Sequence, residues 1–342
     1  MKKEYIIPIF VPHLGCPNDC TFCNQKKISG QKKNITSRDV KQTIEYFLNN
    51  FNPNDKVKVQ VAFFGGSFTG IDKKVQEELL AAAYEYIELG KVDSIRISTR
   101  PDYIDVDKLK LLKKYRVETI ELGVQSANDY VLKKCRRGHT FADVERASKL
   151  IRKNHFVLGH QMMVGLPESS QKDEIETAKK LIKLKPKMVR IYPVLVIKGT
   201  KLEEDYMNGF YNPNTLEQAV ETSAILLKMF RKKKIDVIRI GLQTTDEICM
   251  PDGKNSQVVA GPIHPAFRQL VEGRIYYDRI ASKIKKLNNK AKKVVVYVNS
   301  NIINYFVGHK RENITKIKDI YDVKIVTKVD NGIKDFKIGK VI

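Results

Sequence analysis

The sequence predicts an α/β protein: a partial (β/α)6 barrel of parallel strands, followed by a small basic α/β domain at the C-terminus. Three observations predict it. Six apolar, β-branched runs alternate with segments whose apolar residues recur at three- and four-residue spacing. The polar and glycine-rich motifs fall just after those runs, where parallel sheets present their carboxyl ends to ligands. Charge is uneven: residues 281–342 hold 15 basic and 5 acidic side chains, +10 of a total of +23.

The elements follow in order. Residues 5–11 are the first apolar strand, and 37–49 a helix for which Ser37 is a plausible N-cap. Strand 57–64 contains VAFF, a continuous apolar run of the kind that a strand buried on both faces shows. Helix 74–89 starts behind Asp72. Strand 94–98, helix 106–115, strand 119–124, helix 141–153, strand 157–164, helix 172–184 and strand 188–196 continue the alternation. Helix 215–233 closes it, capped by Thr215.

Composition narrows the function classes. The 342 residues include 47 Lys and 15 Arg against 39 Asp plus Glu, a balance that favours polyanionic partners. Lys, Ile and Asn are all abundant, as AT-rich coding DNA would also produce. No stretch approaches the roughly 18 apolar residues of a membrane span. The start shows no signal-peptide pattern, so a cytoplasmic address is the expectation.

Five cysteines are present. Cys16, Cys20 and Cys23 cluster in HLGCPNDCTFCNQ, whereas Cys135 and Cys249 are isolated and read as incidental thiols. Three thiolates on one short loop mean metal or redox chemistry in a reducing compartment. Zinc is one option, with His13 as a fourth ligand. An iron–sulfur cluster with one open iron is the other.

Further polar groups sit at predicted strand ends. Gly65, Gly66 and Ser67 follow the second strand, where the glycines allow close backbone approach or merely a turn. Arg100 either binds a carboxylate bidentately or pairs with Asp102. Gln125 and Ser126 end the fourth strand, and Gly165-Leu166-Pro167-Glu168 the fifth. Arg190 lies within the sixth and Lys198 near its end. Of His160 and Gln161, one should point into the barrel.

The run CPNDCTFC, with aromatic Phe22 before the third cysteine, resembles the cluster loop of the radical SAM superfamily. That resemblance implies a 4Fe–4S cluster on Cys16, Cys20 and Cys23, with S-adenosylmethionine (SAM) bound at the open iron. It implies Phe22 near the adenine, Gly65-Gly66-Ser67 on the SAM amino group, Arg100 on its carboxylate and Gln125 on ribose or substrate. A low-potential electron donor is implied as a partner, and a 5′-deoxyadenosyl radical as the reactive product.

STRPDYID, ELGVQS, RRGHT, RIYPVLVIKGTKLEE, VIRIGLQ and GPIHPAFRQLVEGRI, in that order, resemble the radical SAM domain of the Elongator catalytic subunit. That family modifies the wobble uridine of tRNA. The first cysteine spacing here is shorter, and only 67 residues follow Ile275, so acetyl-CoA use is not carried over. The expected division is 1–243 barrel, 244–280 Elongator-type extension, and 281–342 basic domain.

Within that tail, VGHKRENITKIKDIYDVKI resembles the core of a KH RNA-binding domain, with Arg311 where the second loop glycine would stand. The resemblance implies RNA contacts at Gly308, Lys310, Arg311, Lys316 and Lys318. The expected function is therefore a radical SAM enzyme acting on tRNA or rRNA. The alternatives are a radical SAM enzyme on a small molecule, such as a tetrapyrrole, and a zinc-containing RNA-binding protein without catalysis.

Overall fold

The computed structural model describes residues 4–11, 20–24, 35–52, 57–243, 245, 247–287 and 292–342. Cys16 and His13 lie outside them. A curled sheet of seven parallel strands forms the body, ordered β1 (Glu4–Val11), β2 (Lys58–Gly65), β3 (Ser94–Thr99), β4 (Val117–Gln125), β5 (Val157–Val164), β6 (Met188–Pro193) and, outermost, β8 (Asp236–Ile240). Six strands were expected; the seventh is the VIRI run, short and only partly buried. The predicted 188–196 strand breaks in two, leaving β7 (Val196–Ile197) to pair antiparallel with β9 (Val258–Ala260).

Helices connect the strands: α1 (Ser37–Asn50), α2 (Lys73–Glu88), α3 (Val106–Lys114), α4 (Asp129–Lys134), α5 (Phe141–Lys153), α6 (Gln171–Lys183), α7 (Lys201–Met207) and α8 (Leu216–Lys232). Asp72 and Thr215 cap their helices as expected. The cap of α1 is Thr36 rather than Ser37: its hydroxyl accepts from Asp39 N while the Asp39 carboxylate accepts from Thr36 N.

Side chains alternate across each strand. Val61, Phe63, Ile95, Ile97, Ile120, Leu122, Val189 and Ile191 are fully buried in one continuous core with the helices. Each contributes about 1.5–3 kcal/mol on burial. Gln60, Arg96, Ser98, Glu121, Gln161 and Arg190 occupy the other face and bond to one another.

Helix α9 (Phe267–Lys285) leads out of the barrel. A second core follows, containing Ile280, Ile284, Val294, Val296, Phe306, Ile317 and Phe336. It lies under a sheet ordered β11-β10-β12, with β10 (Lys293–Val298) parallel to β11 (Lys324–Val329) and antiparallel to β12 (Phe336–Val341). Between β10 and β11 come α10 (Ile303–Val307), the Gly308–Arg311 turn and α11 (Glu312–Tyr321), the strand–helix–turn–helix–strand order of the sequence pattern. No described helix is long and apolar enough to cross a membrane.

Candidate functional site

The cysteine turn sits at the carboxyl ends of the strands. Cys23 N donates to Cys20 O at 3.0 Å, so both thiols project from one tight turn. Two backbone bonds seat it: Thr21 N to Cys135 O (3.2 Å) and Leu202 N to Thr21 O (2.8 Å). Cys20 and Phe22 are buried among Val131, Leu166, Val194, Val196 and Tyr211. Arg137 reaches the same turn. Its Nη1 donates to Cys20 Sγ at 3.3 Å and its Nη2 to Gly123 O at 2.8 Å. Arg137 belongs to RRGHT, two positions after Cys135, and no local spacing signals its contact with Cys20, 117 positions away.

The neighbouring strand ends supply the rest. Gly65 has φ 97°, beyond the range side-chain-bearing residues favour, and Gly66 N donates to Val11 O at 3.0 Å. Ser67 Oγ accepts from Arg100 N at 3.0 Å and contacts Thr99 Oγ1 at 3.0 Å, tying the ends of β2 and β3 together. Arg100 is 3% exposed and grips Asp102 through Nε and Nη2 at 3.0 and 2.8 Å. Gln125 stands at a register shift in β4 with φ 67°. Its Oε1 is buried with no hydrogen-bond partner among the described residues.

Gln161 is the residue that turns inward, donating to Ser98 Oγ and Glu121 Oε2 at 3.2 and 3.1 Å. His160 points the other way, its Nε2 2.9 Å from Ser148 Oγ on α5. Lys198 is taken up by Ser256 O at 2.9 Å. Burial pushes the Cys135 thiol up to about 12, as expected of an inert sulfur. Glu121 was not foreseen. It is 1% exposed and receives Arg190, Arg96 and Gln161 together.

In the tail, Lys310 and Arg311 are exposed and adopt φ 48° and 63°. Thr315 Oγ1 donates to Arg311 O at 3.3 Å, and Lys318 follows one turn later on that side of α11. Lys316, two positions from Lys318, lies about 200° round the helix and does not share that face.

Residues 10–181 match the family model of the radical SAM superfamily, and 186–277 match the radical SAM C-terminal domain. The chain belongs to the radical SAM superfamily. An uncharacterized protein of Methanocaldococcus jannaschii is 33% identical over 220 residues, 61% of this chain and 67% of its own. The tRNA uridine(34) acetyltransferase of the same organism is 29% identical over 202 residues, 52% of this chain; the chain spans only 37% of that relative's length. Among solved structures, Methanocaldococcus infernus Elp3 lacking its first 46 residues shares the fold, with TM-score 0.62 and 22% identity over 83% of this chain and 64% of that one.

The residues present fit a radical SAM site. Two thiols on one turn suit iron, and the orphaned Gln125 Oε1 and the Gly65–Gly66 backbone suit a polar ligand beside it. His160 is instead structural, which gives a pH prediction. Burial drives its pKa down from 6.5 to about 3. The unfolded state therefore binds the proton first, and stability should fall as pH drops below about 6.5, by roughly 1 kcal/mol per pH unit. His139, lowered to about 4 by burial and by Arg137, acts in the same direction. Urea unfolding at pH 7 and pH 5 should show a smaller stability difference for His160→Gln than for wild type. Equal differences would remove His160 from the account.

Proposed function

We propose that this chain is a radical SAM enzyme that modifies RNA of the tRNA or rRNA class. In this proposal Cys16, Cys20 and Cys23 hold a 4Fe–4S cluster, while Phe22, Gly65, Gly66, Ser67 and Gln125 surround S-adenosylmethionine. Bound together, cluster and SAM supply a 5′-deoxyadenosyl radical, given one electron from a low-potential donor. The protein's part is to seat the thiols, exclude water and shape the ligand pocket. Arg137 brings a positive charge to Cys20 and the mouth of β4, where a ligand carboxylate would be held. Arg100, clamped by Asp102, stiffens the loop after β3. Residues 1–243 are assigned to the barrel, 244–280 to the Elongator-type extension and 281–342 to the RNA module.

The observation that carries this proposal is the cysteine turn buried at the carboxyl ends of a parallel half-barrel, with an orphaned carbonyl and a glycine backbone beside it. The tRNA relative and the +10 tail support RNA as the substrate class. The test uses anaerobically reconstituted full-length protein. It should form 5′-deoxyadenosine from SAM with dithionite, and bind tRNA with log affinity falling linearly against log salt. Lys310→Glu with Arg311→Glu should weaken tRNA binding at least tenfold and flatten the salt slope by about 1.4, two contacts at about 0.7 each, as for single strands. SAM cleavage without RNA should persist in that variant. Iron and SAM cleavage without RNA affinity, even at low salt, would point to a small-molecule substrate. One zinc and no SAM cleavage would point to a non-catalytic RNA binder.

A further inference from the structure

The basic turn of the tail is fixed against the barrel, beside the carboxyl ends of β6 and β8. Gly308 has φ 78°, and a Cβ there would lie 2.8 Å from Asn313 Cγ and 2.9 Å from Asn313 N. Asn313 is 3% exposed, and its amide reaches Gly273 O on α9 at 2.9 Å, as well as Tyr305 O and Phe306 O. The turn is thus bonded to the helix that leaves the barrel. Its next ring, His309, packs edge-on against His264 with centroids 5.2 Å apart. His264 belongs to the loop between β9 and α9 and is itself held, its Nδ1 accepting from Ala266 N at 3.0 Å.

That loop borders the carboxyl ends of the outer strands. His264 and Ile263 line a small cavity with Pro193, the last residue of β6, and Gly241, the residue after β8. Ile263 packs with Leu195 and Ile197. Val194 and Val196 pack instead with Cys20 and Phe22. The extended stretch from Val194 to Ile197 therefore separates the His264 loop from the cysteine turn as a single layer.

Lys310 and Arg311 occupy the left-handed region in succession, at a cost that glycine would avoid. Both side chains are exposed, while the backbone of the turn is held by Arg311 N donating to Gly308 O at 3.2 Å and by Arg311 O accepting from Thr315 Oγ1 at 3.3 Å, so the two cations are presented outward from a fixed turn.

We infer that the turn Gly308–Arg311 and the 261–266 loop form one continuous RNA-binding rim of the barrel mouth, and that RNA gripped at Lys310 and Arg311 enters the barrel close by. This inference rests on the proposed RNA substrate. On the turn itself two cations, Lys310 and Arg311, stand against one carboxylate, Glu312; burial holds the His264 ring toward its neutral form.

Two measurements on the full-length protein test the rim, with tRNA from the same cells as the probe. In the first, a benzophenone amino acid replaces His309 or His264 in separate preparations. Crosslinks from the two positions should map to one and the same RNA segment, since the two rings touch. Crosslinks to separate RNA segments, or from position 309 alone, would overturn the rim while leaving RNA binding standing. No tRNA bound by wild type at low salt would overturn both the rim and the RNA substrate. In the second, Arg311→Gly should move stability and affinity in opposite directions. The melting temperature should rise as the left-handed backbone is relieved, while the salt slope of tRNA binding falls by about 0.7. A merely structural turn would raise the melting temperature and leave tRNA affinity unchanged.

Discussion

Cys20→Ala and Cys23→Ala should each abolish reductive SAM cleavage, with 5′-deoxyadenosine falling to the background of protein-free dithionite. The loss should exceed a hundredfold, because in the proposed site a missing thiolate removes a cluster ligand rather than tuning one. Iron and sulfide content after anaerobic reconstitution should fall with it. Cys135→Ala and Cys249→Ala should keep both. Cys135 is fully buried in the apolar cluster under the turn, where burial pushes its thiol up to about 12, the setting of a packing sulfur. Cys249 packs within its own loop, its sulfur 2.6 Å from where a Cβ on Gly253 would sit. Full SAM cleavage by Cys20→Ala would detach this turn from the chemistry altogether. Loss of cleavage in Cys135→Ala with iron retained would instead show that the turn depends on its packing against that sulfur.

The parallel sheet was legible in the sequence because β-branched, apolar-rich runs alternate with amphipathic helical segments, even though one face of the sheet carries the Gln60, Arg96, Glu121 and Arg190 network. Residues 157–164 and 141–153 were bounded correctly for that reason, and because helix α5 carries a capping box from Thr140 and Asp143. Adjacent hydroxyls blurred the start of α1: Thr36 and Ser37 are both good caps, and only the return bond from Asp39 chooses between them. Strand β8 was missed because three lysines precede it and two of its five residues alone are buried. In the site, glycines announced themselves through backbone freedom and cysteines through spacing. Arg137 and Glu121 did not. Their partners lie 117, 69, 40 and 25 positions away, and pairing at such range is set by strand order rather than by local pattern. His160 and Gln161 were left open for the opposite reason: neighbours on a strand face opposite ways, and composition does not say which is inside.

Glu121 is where substitution should destabilise the fold most. It is 1% exposed at the middle of β4. Arg190 donates to it through Nε at 2.5 Å and Nη2 at 3.0 Å, Arg96 through Nη1 at 3.0 Å, and Gln161 at 3.1 Å. Gln60 Oε1 holds the other edge of Arg96, and Phe64 lies 5.0 Å beneath the Arg190 guanidinium. Glu121→Leu would leave two buried cations facing each other, at a cost of about 3–5 kcal/mol. Glu121→Gln keeps the shape and loses the charge, and it gives the sharper test. Burial alone would raise the Glu121 pKa, but Arg190 and Arg96 outweigh it and hold the carboxyl below its usual range. A carboxylate depressed in the folded state stabilises above its unfolded pKa, about 4.3, and that contribution disappears as pH falls through the folded value. Wild type should therefore exceed Glu121→Gln in stability by several kcal/mol at pH 7. The gap should persist through the range in which His160 and His139 titrate, since both proteins retain them. Below about pH 4.3 it should narrow, as wild type loses the charge that the variant never had. Chemical denaturation at pH 7, 5 and 3.5 measures this directly. A gap that stays constant to pH 3.5 would mean that Glu121 supports the barrel by shape and not by charge.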